Sequence, residues 1–485
     1  MINICFFDGY LIDTPYWFRM FYRWLPPKKV VQMIDKSKLP PSWEVVKLGE
    51  VCEIFQGYGF PIIMQRKSKG KFPFYKVGDI SRNVLSGNQY LEYCENYIDD
   101  EELQKLKAKP YPKKTIVFAK IGEALKLNRR ALTKYPCIVD NNAVGLKAVE
   151  IICSDLFLFF FLKLIKLEKY SRATTVPSVR KSEIKAIEIP LPPLPEQHRI
   201  VSKTEELFSE LDKGVESLKT ARQQLKIYRQ AVLKWAFEGK LTHENVKDGE
   251  LPEGWKWVKI SEICNVVRGG SPRPAGNPKF YGGNIPFLKV ADLTKDNNIY
   301  IDTFGFTIKE AGLQKTRKIS PNTLLLTNSG ATLGVPKICM IEATINDGIA
   351  AFLNLDKRSN LFLYYFWMSK TKELRTINQG AAQPNLNTEI INNYDLPYCP
   401  FEEQIKIISE IETRLSVCDK LEETITTALQ QSDALRQSIL KKAFEGRLVE
   451  QNPNDKPASK LLERIRAEKA AEQRHVYRKK IKQPQ

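Results

Sequence analysis

The stretch Pro195-Glu196-Gln197, running on to Ala236-Phe237-Glu238-Gly239-Lys240-Leu241, is met a second time as Glu403-Gln404 through Ala443-Phe444-Glu445-Gly446-Arg447-Leu448. Adding 207 to each number converts the first copy into the second, so no insertion separates the two ends. From Ile200, steps of four and three land on Thr204, Leu207, Leu211, Gly214, Leu218, Ala221, Leu225, Tyr228, Val232 and Trp235. In the second copy the ladder takes Ile407, Ile411, Arg414, Cys418, Leu421, Ile425, Ala428, Ser432, Leu435, Ile439 and Lys442, with Leu415 and Ala443 beside the two charged positions. A 3.5-residue repeat sustained this long is the seam of a coiled coil. One such helix exposes an apolar stripe that it cannot bury alone, and two of equal length can bury each other. The spacer positions expected on that seam are Leu207, Leu211, Leu218, Leu225, Tyr228, Ile411, Leu421, Ile425, Leu435 and Ile439.

The repeat extends outward from the helices. Leu39-Pro40-Pro41-Ser42-Trp43 matches Leu251-Pro252-Glu253-Gly254-Trp255 at an offset of 212. Phe74-Tyr75-Lys76-Val77-Gly78-Asp79 matches Phe287-Leu288-Lys289-Val290-Ala291-Asp292 at 213, and Thr115-Ile116-Val117-Phe118 matches Thr323-Leu324-Leu325-Leu326 at 208. The chain is therefore a tandem duplication, each half a globular unit followed by a long helix. Length changes are confined to the globular units. The expected organisation is an unmatched extension at 1–38, a first globular domain at 39–195 and its helix at 196–241. A second domain at 251–402, its helix at 403–449 and a basic tail at 450–485 complete it.

Within each unit, short β-rich runs (Val45 to Leu48, Phe74 to Val77, Thr115 to Phe118, Ile138 to Val139) are punctuated by Gly, Pro, Asn and Lys. Leu156 to Ile165 and Leu361 to Trp367 read as one buried helix in each unit. The fold class is thus α+β, two mixed α/β repeats separated by two long antiparallel helices with pseudo-twofold symmetry.

The 485 residues carry a formal charge of +19, which favours a polyanionic partner, nucleic acid or an acidic membrane surface. Nine cysteines without a C-x-x-C pair and three histidines suit neither a structural zinc site nor a disulfide framework. They point to a reducing cytoplasm, and Cys52 and Cys264, at matching repeat positions, read as small buried apolar residues. The most apolar run, Leu156 to Ile165, is too short for the ~20 residues of a membrane span. No phosphate-binding loop of the G-x-x-x-x-G-K-[ST] type occurs, and Glu183-Ile184-Lys185 lacks the acidic partner of a nuclease motif. The sequence argues for a binding protein without catalytic residues, cofactor or metal of its own.

Glycine-bent loops carry what distinguishes the halves. The candidate DNA contacts are Gln56, Tyr58, Lys120, Arg129, Arg130, Arg180 and Lys181 in the first unit. In the second they are Arg268, Ser271, Arg273, Asn328, Ser329, Thr332, Gln379, Gln383 and Asn385. Arg, Lys, Asn and Gln reach base edges, and Ser or backbone N–H groups hold phosphate. Matching loops share position but differ in sequence, as expected of one scaffold bearing two readers. The tail after Lys456 reads as a short amphipathic basic helix, solvated or lying on phosphates or a partner.

Together these features resemble the specificity subunit of type I restriction–modification systems, HsdS. The resemblance is carried by Ile189-Pro190-Leu191-Pro192-Pro193-Leu194-Pro195-Glu196-Gln197 and its partner Leu396-Pro397-Tyr398-Cys399-Pro400-Phe401-Glu402-Glu403-Gln404. Both Ala-Phe-Glu-Gly helix ends and both Leu-Pro-x-x-Trp starts belong to it, and it spans roughly residues 39 to 470. It implies two target recognition domains, each reading half of a bipartite, asymmetric site in double-stranded DNA. The helices would serve as a ruler and as the dock for two methyltransferase subunits, which supply S-adenosylmethionine and adenine-N6 methylation. Restriction subunits would add ATP- and Mg2+-dependent translocation and cleavage. Other readings are a methylation-only or type IIB/IIG-like system, a stand-alone nuclease, and a coiled-coil scaffold that binds no DNA.

Overall fold

The computed structural model describes residues 36–171, 176–330, 332–377 and 386–468. The chain divides into two compact units, Met1–Gly214 with Gln431–Gln485, and Val215–Gln430. The division cuts both long helices, Leu194–Phe237 and Phe401–Phe444, each of 44 residues. Each unit thus owns the first part of one long helix and the last part of the other.

In the first unit a five-stranded sheet has the order Cys52–Gln56, Ala143–Ala148, Ile116–Ala119, Ala131–Thr133, Tyr90–Leu91. All neighbours are antiparallel except the last pair. Phe72–Tyr75 pairs antiparallel with Tyr97–Ile98 and parallel with Ile138–Val139. The second unit repeats this as Asn265–Arg268, Ile349–Leu353, Thr323–Thr327, Pro336–Cys339, Tyr300–Ile301, with the same directions. Its smaller sheet gains one strand, Arg317–Ile319. The apolar helix of each unit, Asp155–Leu164 or Asn360–Ile377, supplies core residues such as Phe157 and Phe366. Cys52 and Cys264 are buried, and burial pushes each thiol up to about 12. Among the described residues no helix is long and apolar enough to cross a membrane.

Within each unit the two long-helix segments pair antiparallel, through the same ion pair. Arg436 bonds Asp212 in the first unit, and Arg229 bonds Asp419 at 2.7 Å in the second. Asp212 and Asp419 are 207 apart, as are Arg229 and Arg436, so the duplication has reproduced the contact. The less exposed positions run 200, 204, 207, 211, 215, 218, 221, 225, 229, 232, 236 on the first helix. On the second they run 407, 411, 414, 418, 422, 425, 429, 432, 436, 439, 443. Both stripes advance by the 3.6 residues of a straight α-helix, not by 3.5.

That drift corrects three spacer positions. Tyr228, Leu421 and Leu435 remain 37%, 48% and 49% exposed, one residue behind the stripe. Their places are taken by Arg229, Glu422 and Arg436, and Arg229 bonds Glu422 at 3.1 Å. A hydrophobic ladder selects the apolar residue of two neighbours, whereas the packed helices accept a charge wherever its opposite faces it. The stripe does include Leu207, Leu211, Leu218, Leu225, Ile411, Ile425 and Ile439.

Each long helix ends in a glycine with positive φ, Gly239 at 75° and Gly446 at 69°. A Cβ on Gly239 would lie 2.2 Å from Pro252 Cγ, and one on Gly446 2.4 Å from Pro40 Cγ. The Leu-Pro-x-x-Trp start of a globular domain thus packs on the helix terminus of its own unit. The short amphipathic helix expected in the tail forms, and its apolar face packs on the first unit instead of lying free in solvent. Residues 458–468 are helical, with Ala458, Leu462 and Ile465 buried in the first unit. Arg466 bonds Glu50 at 2.7 Å and holds that carboxyl below its usual range.

Candidate nucleic-acid interface

In the first unit, Cys52–Gln56 and Ile116–Ala119 both pair antiparallel with Ala143–Ala148, so their C-terminal ends open on one sheet edge. Lys120 Nζ donates to Gln56 Oε1 at 3.0 Å, joining the two loops that leave that edge. Partial burial lowers the Lys120 pKa. A third loop is fixed by the Val179 N–H donating to the Lys120 carbonyl at 2.9 Å. Beyond it Arg180 and Lys181 stand exposed at the start of a short helix, Lys181–Lys185.

Asp140 lies at the centre. Its carboxylate accepts the Asn142 N–H at 3.0 Å and the Val77 N–H at 3.4 Å, and burial raises its pKa. Tyr58 forms a β-bridge with Asp140, and its hydroxyl accepts the Lys109 N–H at 3.0 Å. The chain reaches Tyr58 through Gly57, where any Cβ would lie 1.7 Å from the Asp140 carbonyl oxygen. Only glycine permits that approach.

The second unit builds the same edge around Asp347, 207 residues after Asp140. Arg268 Nε donates to the Asp347 carbonyl at 2.6 Å, and the Ser271 hydroxyl to Asp347 Oδ1 at 2.6 Å. Arg273 Nη2 approaches Oδ2 at 3.4 Å. Burial alone would raise the Asp347 pKa, but the Ser271 bond and both arginines outweigh it and hold the carboxyl below its usual range. Gly269 passes the turn as Gly57 does, its Cβ position 2.2 Å from the Asn346 carbonyl oxygen. The Leu386 N–H donates to the Asn328 carbonyl at 2.8 Å, the counterpart of Val179 and Lys120.

Most candidate contacts therefore gather on one edge per unit. Gln56, Tyr58, Lys120, Arg180 and Lys181 surround the Asp140 turn, with Arg129 half-exposed on the connection between Ile116–Ala119 and Ala131–Thr133. Arg268, Ser271 and Arg273 surround the Asp347 turn, and half-buried Ser329 lies near Gly348. Two candidates are corrected. Arg130 is only 2% exposed, its guanidinium 5.2 Å from the Phe118 ring centroid, because the residue directly precedes the core strand Ala131–Thr133. Asn328 is fully buried and holds the third loop through its backbone, so it shapes the edge and cannot reach outward. Thr332 closes its own turn, its carbonyl accepting the Thr327 hydroxyl at 2.6 Å. Gln379, Gln383 and Asn385 lie outside the described residues. The two hub aspartates escaped the sequence reading, although the 207-residue offset aligns Ile138-Val139-Asp140 with Ile345-Asn346-Asp347.

The family model described as the type I restriction modification DNA specificity domain matches this chain twice, over residues 40–226 and 252–431. The chain belongs to the type I restriction–modification specificity subunits. Among relatives of this subunit, the EcoBI specificity subunit of Escherichia coli is 27% identical over 462 residues, covering 89% of this chain and 93% of the relative. The MjaVIII specificity subunit of Methanocaldococcus jannaschii is 25% identical, covering 86% and 95%. A chain solved in work on complex assembly and conformational transition of the type I R-M system shares the fold with a TM-score of 0.63 at 23% identity, covering 84% of this chain and 99% of its own. The HsdS subunit from Thermoanaerobacter tengcongensis gives 0.57 at 22% identity, covering 84% and 98%. The specificity subunit thus carries its DNA-recognition role on a doubled α+β scaffold.

Proposed function

We propose that this specificity subunit reads a bipartite, asymmetric site in double-stranded DNA, one half-site per unit, through the loop edges around Asp140 and Asp347. The observation that supports this most is the identical strand order beneath two edges of different chemistry. Gln56 and Lys120 present an amide and an ammonium, whereas Arg268 and Arg273 present guanidinium forks of the kind that pair with guanine O6 and N7. The +19 charge supplies attraction to phosphate and a salt-dependent affinity.

The paired helices act as spacer and as the dock for two methyltransferase subunits, with restriction subunits joining that core. A helix of 44 residues is about 66 Å long at ~1.5 Å per residue. Laid beside a duplex rising ~3.4 Å per base pair, it spans at most about 19 base pairs. S-adenosylmethionine, ATP and Mg2+ belong to the partner subunits, and the complex works in the cytoplasm beside the genome it marks. This chain supplies address, not chemistry: purified alone with DNA and Mg2+, it leaves the DNA uncut.

Mapping of methyladenine in a host expressing the complex tests the reading. The expected result is a gapped motif with two unrelated halves. Insertion of four residues beside Leu218, with four at the matching place in the second helix, should lengthen the gap and leave both halves unchanged. Altered half-site bases would contradict the spacer role.

A further inference from the structure

The loop that leaves Gln56 in the first unit carries a feature that direct base reading does not use. Ile62 and Ile63 are adjacent and are 88% and 92% exposed, at the tip of the short 3-10 turn Ile62–Met64. Two neighbouring isoleucines held almost wholly in water lose the contact that normally buries such side chains, so an exposed apolar tip of this kind marks an interaction site.

The tip is braced. Phe60 stacks on fully buried Phe74 with ring centroids 3.7 Å apart. Gln65 Nε2 donates to the Phe60 carbonyl at 2.8 Å, closing the base of the turn. Lys76 Nζ bonds Gln65 Oε1 and lies 5.6 Å from the Phe60 ring centroid. Lys76 directly precedes Val77, whose N–H meets Asp140, so the brace is continuous with the hub of the reading edge. Arg66 adopts φ 68° and is pinned by its N–H donating to Asn96 Oδ1 at 2.8 Å. Arg66 and Lys69 stand exposed beside the tip, without an acidic partner among the described residues. The tip is apolar, stiff and flanked by cations.

We propose that Ile62 and Ile63 form a wedge that enters between two stacked base pairs of the first half-site, while Arg66 and Lys69 hold the flanking phosphates. The proposal rests on the DNA-reading role given above. Apolar side chains are used in this way to unstack and kink a duplex, most readily at pyrimidine–purine steps. Such a wedge adds specificity at bases that receive no hydrogen bond, because the deformation energy depends on the step being opened. The second unit is built otherwise: its matching loop carries Ser271, Pro272, Arg273 and Pro274 and no exposed isoleucine. Unstacking is therefore expected in one half-site only.

The test uses the assembled specificity–methyltransferase complex and duplexes carrying 2-aminopurine at single positions of the mapped site, other than the methylated adenines. Wild-type complex should raise the fluorescence at one step of the first half-site and at none in the second. Ile62→Ala with Ile63→Ala should abolish that rise and weaken specific binding at least about tenfold, the order expected when two isoleucine contacts are lost. Ile62→Leu with Ile63→Leu should restore both. Equal fluorescence and affinity in the alanine variant, with specific binding intact, would overturn the wedge and leave the reading role standing. Loss of methyltransferase co-purification in the alanine variant would overturn it in favour of a protein contact. Absence of any sequence-specific binding by the wild-type complex would instead remove the reading role itself.

Discussion

The two loop edges share a backbone and almost nothing else. Around Asp140 the side chains are an amide, an ammonium and an apolar tip, beside a carboxyl that accepts only backbone N–H groups and whose pKa burial has raised. Around Asp347 two arginines and a serine converge on a carboxyl held below its usual range. Both aspartates occupy one place in one topology, so the neighbouring loops set their electrostatics, not the fold. A duplicated scaffold can fix where loops emerge while leaving what they present free to diverge.

The sharpest way to break that comparison is through the glycines beneath it. Gly57→Ala and Gly269→Ala each place a Cβ inside van der Waals contact of the aspartate-bearing turn. Each should cost about 3 kcal/mol, the upper range for forced overpacking, in the thermal or urea unfolding of the full chain. Each should also abolish recognition of one half-site only, read as binding that no longer responds to base changes in that half but still falls with changes in the other. A loss of both halves from either change would show the edges to be coupled.

Next in size are the readers. Arg268→Ala should weaken specific binding by about 1–3 kcal/mol and relax base preference in the second half-site, the range for a lost bidentate base contact. Lys120→Ala should act on the first half-site alone and reduce the salt dependence of binding if it meets phosphate. Competition titrations against half-site variants separate these outcomes. Arg130→Ala, by contrast, should lower stability and leave base preference unchanged.

The carboxyls sharpen the contrast through pH, with opposite signs. The Asp347 pKa is lower folded than unfolded, so its contribution is present above the ordinary carboxylate pKa of ~3.9. It fades as pH falls through the folded value. The stability gap between wild type and Asp347→Asn should therefore shrink on acidification. The Asp140 pKa is raised, so folding favours its protonated form, and wild type should gain on Asp140→Asn as pH falls toward ~3.9. Urea midpoints from neutral pH down to ~3.9 check the Asp140 slope, and midpoints taken below ~3.9 check that of Asp347.

The smallest effect belongs to the helices. Asp212→Ala removes an exposed ion pair and should cost about 0.5 kcal/mol, whereas Asp419→Ala leaves Arg229 its Glu422 partner and should cost less. Both losses should vanish near ~1 M salt, where exposed pairs are screened. Equal losses would mean that Glu422 adds nothing to the Arg229 contact.

Much of this architecture is legible in one dimension. The strand Ile138–Val139 and the helix Asp155–Leu164 fall where β-rich and apolar runs place them, since a buried segment must be apolar whatever surrounds it. The helix seam is less legible, because a 3.5 ladder and a 3.6 stripe differ by only one residue over the stretch from Ile200 to Ala236. Leu421 and Leu435 are the more apolar neighbours, yet Glu422 and Arg436 take the seam positions, a choice made by the opposing charge. Arg130 shows the reverse error: a basic residue on a glycine-bent stretch reads as a ligand contact until the strand direction turns it inward.

The sequence alone settled the duplication, the equal helices, the mixed α/β class and the likeness to specificity subunits, because repeats and hydrophobic patterning are properties of chain order. Tertiary structure alone decided that Asp140 and Asp347 are hubs, that the apolar face of the tail helix packs into the first unit's core, and that two isoleucines stand in water. Those outcomes depend on which residues distant in sequence come within a few ångströms, and that is set by packing and charge pairing across elements.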